Sequence, residues 1–230
     1  HEFVPQIADL EAVVDENTVA ILYNFPSNPT GATINIEQRD ALLAFAQKHD
    51  LWIISDEVYD RIVFDGEHVS FVGTDSDRVV LINSFSKTFA MTGWRIGYIM
   101  SANLEAMKQF TKIQYYITAC SNDAMQHAVL TAFDEASDYP SIMAEEFKAR
   151  CDLIVDRLNE MPGVQCHKPK GAFYVFPKVE VPGMNSEEIA LELLKGGVLC
   201  SPGSAFGASG EGHLRFAYTI SRKDIERGME

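Results

Sequence analysis

Short apolar runs that stop abruptly at polar residues recur along the first hundred positions. Val19-Ala20-Ile21-Leu22-Tyr23-Asn24-Phe25 ends at Pro26-Ser27-Asn28-Pro29-Thr30-Gly31. Leu51-Trp52-Ile53-Ile54-Ser55 ends at Asp56-Glu57, and Val79-Val80-Leu81-Ile82-Asn83 at Ser84-Phe85-Ser86-Lys87. An apolar run closed by turn formers or charges reads as a buried strand entering a loop. Arg95 to Met100 reads as a further strand. Between the first two runs, Leu42, Leu43, Phe45 and Ala46 fall at helical spacing within 35–48, and Asn35 with Gln38 imitates a capping box at the start. Strands buried on both faces and partly separated by helices predict an α/β fold, part of a mainly parallel central sheet flanked by helices. Ligands of such sheets gather beyond the carboxyl ends of the strands, so the polar ends are the first functional candidates.

From about Asn103 to Met161 the pattern is mostly helical, with Pro140 as an interruption and 145–158 as one continuous helix. The texture then changes. Residues 163–166 and 172–176 read as short strands around Lys168-Pro169-Lys170-Gly171, 186–194 as a helix capped by Ser186, and 214–218 as a final strand. A first unit over 1–134 and a smaller α+β domain over 135–230, its last helix cut short, are therefore expected. The glycine-rich stretch Gly203–Gly210 reads as a mobile loop.

Composition narrows the class. With 47% hydrophobic and 23% charged residues the chain can build a core, which excludes a disordered or fibrous protein. A formal net charge of −14 leaves no dominant cationic face, so no nucleic acid partner is expected. Cys120, Cys151, Cys166 and Cys200 match no zinc or CxxC spacing and read as reduced thiols of a cytoplasmic protein. The histidines form no H-x-x-x-H pair, so no metal is expected. No run approaches the length of a membrane span. The chain starts at His1 rather than Met and runs straight into patterned sequence, which reads as a fragment.

A lysine at a strand end is ordinarily a solvated charge, an aspartate there a cap or ion-pair partner, and an arginine on a late strand a surface residue. Their order here is distinctive. Asn28-Pro29-Thr30-Gly31, Ser55-Asp56-Glu57-Val58-Tyr59, Ser84-Phe85-Ser86-Lys87 and Met91-Thr92-Gly93-Trp94-Arg95-Ile96-Gly97-Tyr98 together resemble the class I/II aminotransferases, pyridoxal-phosphate enzymes of the aspartate aminotransferase fold (fold type I). The resemblance extends over essentially all 230 residues, read as the C-terminal portion of such an enzyme.

That resemblance implies roles. Lys87 would form the Schiff base with pyridoxal 5′-phosphate and later shuttle a proton. Asp56 would face the pyridine nitrogen and hold it protonated. Tyr59 and Asn28 would hydrogen-bond the phenolic oxygen. Arg95, Ser84 and Ser86 would bind the phosphate, where a planar fork outperforms an ammonium. Arg215, in Gly212-His213-Leu214-Arg215-Phe216, would clamp the substrate α-carboxylate, and Gly171 would lie in a loop approaching the substrate. The implied reaction moves an amino group between an α-amino acid and a 2-oxo acid, of aspartate or aromatic type, in a homodimer. A β-lyase with the same cofactor shell and the aminotransferase-like effector domain of a transcriptional regulator are the alternatives. The phosphate loop, stacking aromatic and cross-dimer Tyr of the family have no counterpart here, so the isolated piece is expected to be inactive.

Overall fold

The computed structural model describes residues 3–230. After a short helix α1 (Ile7–Glu11), strands β1 (Ala20–Asn24), β2 (Trp52–Asp56), β3 (Val79–Ser84) and β4 (Gly97–Met100) form one sheet in that order. Helix α2 (Ile36–Lys48) crosses between β1 and β2. The first three strands are parallel, with Asn24 opposite Asp56 and Asp56 opposite Ile82, so their polar ends fall side by side. β4 returns antiparallel, with Ser84 opposite Gly97. A side chain at 97 would run into this pairing, since a Cβ there would come 2.6 Å from the Asn83 carbonyl. The capping box of α2 forms as expected: Gln38 N–H donates to Asn35 Oδ1 at 2.8 Å and Asn35 N–H to Gln38 Oε1 at 2.9 Å.

Burial on both faces holds only in part. Leu42, Phe45 and Ala46 of α2 pack with Tyr23, Phe25, Leu51, Ile53, Phe71 and Val79 into one core. All four residues of β4 and Leu22 of β1 are exposed.

The helical stretch divides into α4 (Leu104–Thr118), α5 (Asp123–Glu135) and α6 (Tyr139–Asn159), preceded by the four-residue α3 (Phe85–Thr88). Pro140 opens α6 instead of interrupting a helix; its missing N–H costs nothing in a first turn. No residue of α4 is buried.

The remaining elements are β5 (Val164–Gln165), β6 (Tyr174–Val175), β7 (Lys178–Val179), α7 (Ser186–Lys195), β8 (Ser201–Pro202), β9 (Leu214–Ala217) and α8 (Arg222–Gly228). β5 and β7 form a ribbon, and β6-β9-β8 a three-stranded antiparallel sheet with β9 central. Asn185, not Ser186, caps α7, accepting from Glu187 N–H and Glu188 N–H at 3.0 Å; the Ser186 hydroxyl instead donates to Glu211 at 2.9 Å. The 203–210 stretch is two tight 3-10 turns whose Gly203 and Gly210 backbones pack against each other. A second core gathers Phe147, Cys151, Ile154, Leu158, Phe173, Tyr174, Leu214, Phe216 and Tyr218, and takes in Tyr59 and Ile62 from beyond β2.

Candidate active site

Three parallel strand ends and one small sheet supply the residues. Asp56 is the last residue of β2. Its Oδ1 accepts a long bond from Val58 N–H, 3.3 Å, the Asn24 side chain gives it modest further help, and among the described residues it has no cation within ion-pair distance. Burial raises its pKa above the ordinary aspartate value, with further upward pressure from Glu57 and partial relief from the Val58 N–H and Asn24. An underpaired carboxylate at this depth is set up for a cationic partner.

Asn24, the last residue of β1, joins the strand ends. Its Nδ2 donates to the Asp56 carbonyl at 3.3 Å and its Oδ1 accepts from Asn28 N–H at 2.8 Å. Asn24 is not among the motif residues at the strand ends. A polar residue ending an apolar run was the available signal.

Lys87 lies in α3, the single helical turn that follows β3. Its Nζ stands over two aromatic rings, 5.4 Å from the Phe173 centroid and 5.9 Å from that of Tyr59, with no carboxylate within ion-pair distance among the described residues. Burial and then the Arg95 guanidinium lower its pKa, so the amine gives up its proton more easily than a surface lysine.

Ser84 caps α3, accepting from Ser86 N–H at 3.0 Å and donating to the Ile96 carbonyl at 3.1 Å. Its single proton is thus committed locally. Ser86 is buried, and its carbonyl accepts from the Thr92 hydroxyl at 2.9 Å. That bond ties α3 to the turn at Thr92–Trp94, whose exit residue Arg95 adopts a left-handed conformation with φ 54°. Arg95 is exposed, and its Nη1 donates to the Thr92 carbonyl at 3.0 Å.

Tyr59 is 4% exposed, and its hydroxyl lies 2.9 Å from that of Tyr174. Burial and then the Tyr174 hydrogen bond push it well above the usual tyrosine range, which keeps it a protonated donor.

Arg215 sits on the central strand β9 directly opposite Ser201 on β8. Tyr174 pairs with Ala217, two residues along β9, and so shares the face of Arg215. Register alone therefore surrounds the guanidinium. Nη2 donates to Ser201 Oγ and Nη1 to Asn28 Oδ1, each at 2.9 Å. Its Cζ stands 4.9 Å from the Tyr174 ring centroid and 5.0 Å from that of Phe206. Nε is buried without a partner, a donor not yet used.

These contacts form one linked set. Lys87 touches Tyr59, Tyr59 meets Tyr174, Tyr174 carries Arg215, and Arg215 reaches Asn28, which Asn24 connects to Asp56. Ser84, Ser86 and Arg95 adjoin it through α3. Gly171 contributes backbone only. A Cβ there would come 2.8 Å from the Ile62 carbonyl and 2.9 Å from Pro26 Cβ. Residues missed from sequence are Asn24, Phe173, Tyr174, Ser201 and Phe206.

Known proteins agree with this architecture. Residues 2–230 match the family described as aminotransferase class I and II. An aspartate aminotransferase of Pyrococcus horikoshii is 36% identical over 233 residues, covering 100% of this chain and 59% of that protein. An aromatic-amino-acid aminotransferase of Thermococcus litoralis is 37% identical over 236 residues, covering 100% of this chain and 60% of the relative. The crystal structure of an aromatic aminotransferase from P. horikoshii superposes with a TM-score of 0.94 at 36% identity, over 99% of this chain and 62% of that one. The chain thus spans about 60% of the length of the relatives it matches.

Proposed function

The chain belongs to the class I and II aminotransferase family, and on that premise we propose that it carries the cofactor lysine and the carboxylate clamp of an enzyme moving an amino group between an α-amino acid and a 2-oxo acid. The observation that supports this most is the linked set itself. Residues from separate elements bring a readily deprotonated amine, an underpaired carboxylate, a protonated tyrosine and a partly satisfied guanidinium together.

The residues fit pyridoxal 5′-phosphate. Bound, that cofactor would supply an electron-withdrawing ring that stabilises negative charge at the substrate Cα. Asp56 would find its missing cationic partner in the ring nitrogen and hold the proton there. Lys87 would hold the cofactor covalently through Nζ. Its amine, once free, would carry the proton between the substrate Cα and the cofactor's C4′, a task suited to a lysine with a depressed pKa. Tyr59 would donate to the phenolic oxygen together with Asn28. Arg95 and Ser86 would meet the phosphate, and Ser84 would join them by releasing the Ile96 carbonyl. Arg215 would direct its unused Nε and its fork at the α-carboxylate.

We further place the intact enzyme in the cytoplasm as a homodimer acting on aspartate or aromatic amino acids. Names of the relatives support the substrate class. The exposed Ile113, Tyr115, Tyr116 and Ile117 of α4 support further protein on that side. The test is reduction of the intact protein with borohydride in the presence of pyridoxal 5′-phosphate, followed by peptide mass spectrometry. The label is expected on Lys87, and a label on a different lysine overturns the assignment.

A further inference from the structure

Tyr174, like Asn28, touches both halves of the linked set, and it alone does so through a ring and a hydroxyl at once. Its hydroxyl lies 2.9 Å from that of Tyr59, on the cofactor side. Its ring lies beneath the Arg215 guanidinium at 4.9 Å, on the substrate side. The ring cannot easily move away. It is 8% exposed, edge-on to Tyr59 at 5.8 Å, tilted against Phe173 at 4.8 Å, and its backbone is paired to Ala217 in β9. The charged groups that reach Tyr59 from other elements are Asp56 and Arg215, with Lys87 over its ring.

We propose that Tyr174 is a positioning residue that couples the carboxylate clamp to the cofactor's phenolic oxygen, its ring fixing Arg215 and its hydroxyl donating to Tyr59. The proposal rests on the functional reading above. Tyr59 has one proton. When it gives that proton to the cofactor, its oxygen is left to accept, and Tyr174 is the donor in reach. A tyrosine that accepts while it donates is a stronger donor, because the two bonds polarise each other. On the other side, an aromatic face under a guanidinium holds its plane and leaves the N–H edge free for a carboxylate. A tilt of this one ring would therefore disturb the Arg215 contact and the bond to Tyr59 together.

Tyr174→Phe separates the two contacts, since it keeps the ring and its volume and removes only the hydroxyl. In the intact protein loaded with pyridoxal 5′-phosphate, the pH titration of the bound cofactor's visible absorbance should move upward by about half a unit to one unit. The upward sign follows because a weaker Tyr59 donor leaves negative charge on the phenolic oxygen less well stabilised. The rate loss should fall on kcat, with KM for the amino acid held within about twofold, because the ring still carries Arg215. Tyr174→Leu removes both contacts and should in addition raise KM about tenfold. A Tyr174→Phe titration that overlays the unsubstituted protein overturns the coupling. A Tyr174→Leu KM no higher than that of Tyr174→Phe overturns the ring's part in it. Should Tyr174→Leu not fold, Tyr174→Phe alone decides. Borohydride labelling of Lys87 in the unsubstituted protein keeps the two levels apart. Without that label the functional reading fails and the coupling with it, whereas label with an unmoved titration sinks the coupling alone.

Discussion

Asp56 and Glu57 are consecutive carboxylates at the end of β2, and the two sides of the strand treat them oppositely. Glu57 points into the core and is 2% exposed. It accepts from the Ser55 hydroxyl at 2.8 Å and from Phe71 N–H at 3.2 Å, and its second oxygen meets His68 Nε2 at 2.6 Å. Burial pushes its pKa up, but the bonds from His68, Ser70 and Ser55 outweigh that and leave it below the ordinary value. Asp56 is less buried, yet burial raises its pKa because the bonds from Val58 and Asn24 do too little to offset it. Depth therefore does not mark the working group; lack of local partners does. A carboxylate satisfied by the fold stabilises the fold, and one left underpaired is available to a ligand.

The largest effect that would break this contrast is catalytic. Asp56→Asn in the intact protein should lower kcat on the order of a thousandfold while weakening cofactor binding much less, since the charge acts where negative charge develops in the reaction. Near-normal turnover would remove Asp56 from the site. The reverse substitution in kind, Glu57→Ala, should cost about 3 kcal/mol of unfolding free energy in urea titrations, because it leaves the Ser55 hydroxyl and Phe71 N–H buried without an acceptor and takes the ion-pair partner from His68. A loss under about 0.5 kcal/mol would show that the network is ornamental.

Arg215→Ala comes next, at roughly a hundredfold in kcat/KM for every α-amino acid tested, with simple amines little changed because they lack the carboxylate. Equal losses on amines would mean that Arg215 serves the fold rather than the substrate.

The smallest effect is the dependence of stability on pH in cofactor-free protein. Glu57 has a folded pKa below its unfolded one, so its contribution is present above the ordinary carboxylate range and lost as pH falls through the folded value. Asp56 has the opposite sign, favouring the folded state below its unfolded pKa and withdrawing that contribution as pH rises through the raised folded value. Asp56→Asn should therefore gain on the unsubstituted protein as pH rises, and Glu57→Gln should fall behind it. Parallel pH curves for all three would end the contrast.

The strand ends were legible because each combines a long apolar run with a local motif: Asp56 after Leu51–Ser55, Lys87 after Val79–Asn83, and the capping box at Asn35. The surroundings of Arg215 were not. β6 and β8 are two residues each, too short for alternation to show a face. That Ser201 and Tyr174 flank Arg215 depends on register between strands far apart in sequence, and Phe206 arrives from tight turns in a glycine-rich stretch without periodicity. The His68 partner of Glu57 was hidden similarly, in a loop without periodicity. The sequence pointed to Ser186 as the α7 cap, but Asn185 takes the Glu187 and Glu188 N–H groups while Ser186 is engaged by Glu211, a partner 25 residues away.

The crossing at Gly31 and Gly171 has a mechanical side. The Gly31 carbonyl accepts from both Lys170 N–H and Gly171 N–H at 3.0 Å, Phe64 N–H donates to the Lys170 carbonyl at 2.8 Å, and Ala172 N–H to the Ile62 carbonyl at 2.9 Å. A Cβ on Gly31, whose φ is +67°, would come 2.5 Å from Pro169 Cβ, so the strands of chain touch with no side chain between them. Backbone bolted to backbone at such short range transmits displacement with little slack. The segment bearing Asn28 and the segment leading into Tyr174 therefore travel as a single linkage. The Ile62–Phe64 segment that follows Asp56 and Tyr59 is tied into the same linkage, so a shift of Tyr174 is passed to both sides of the site at once.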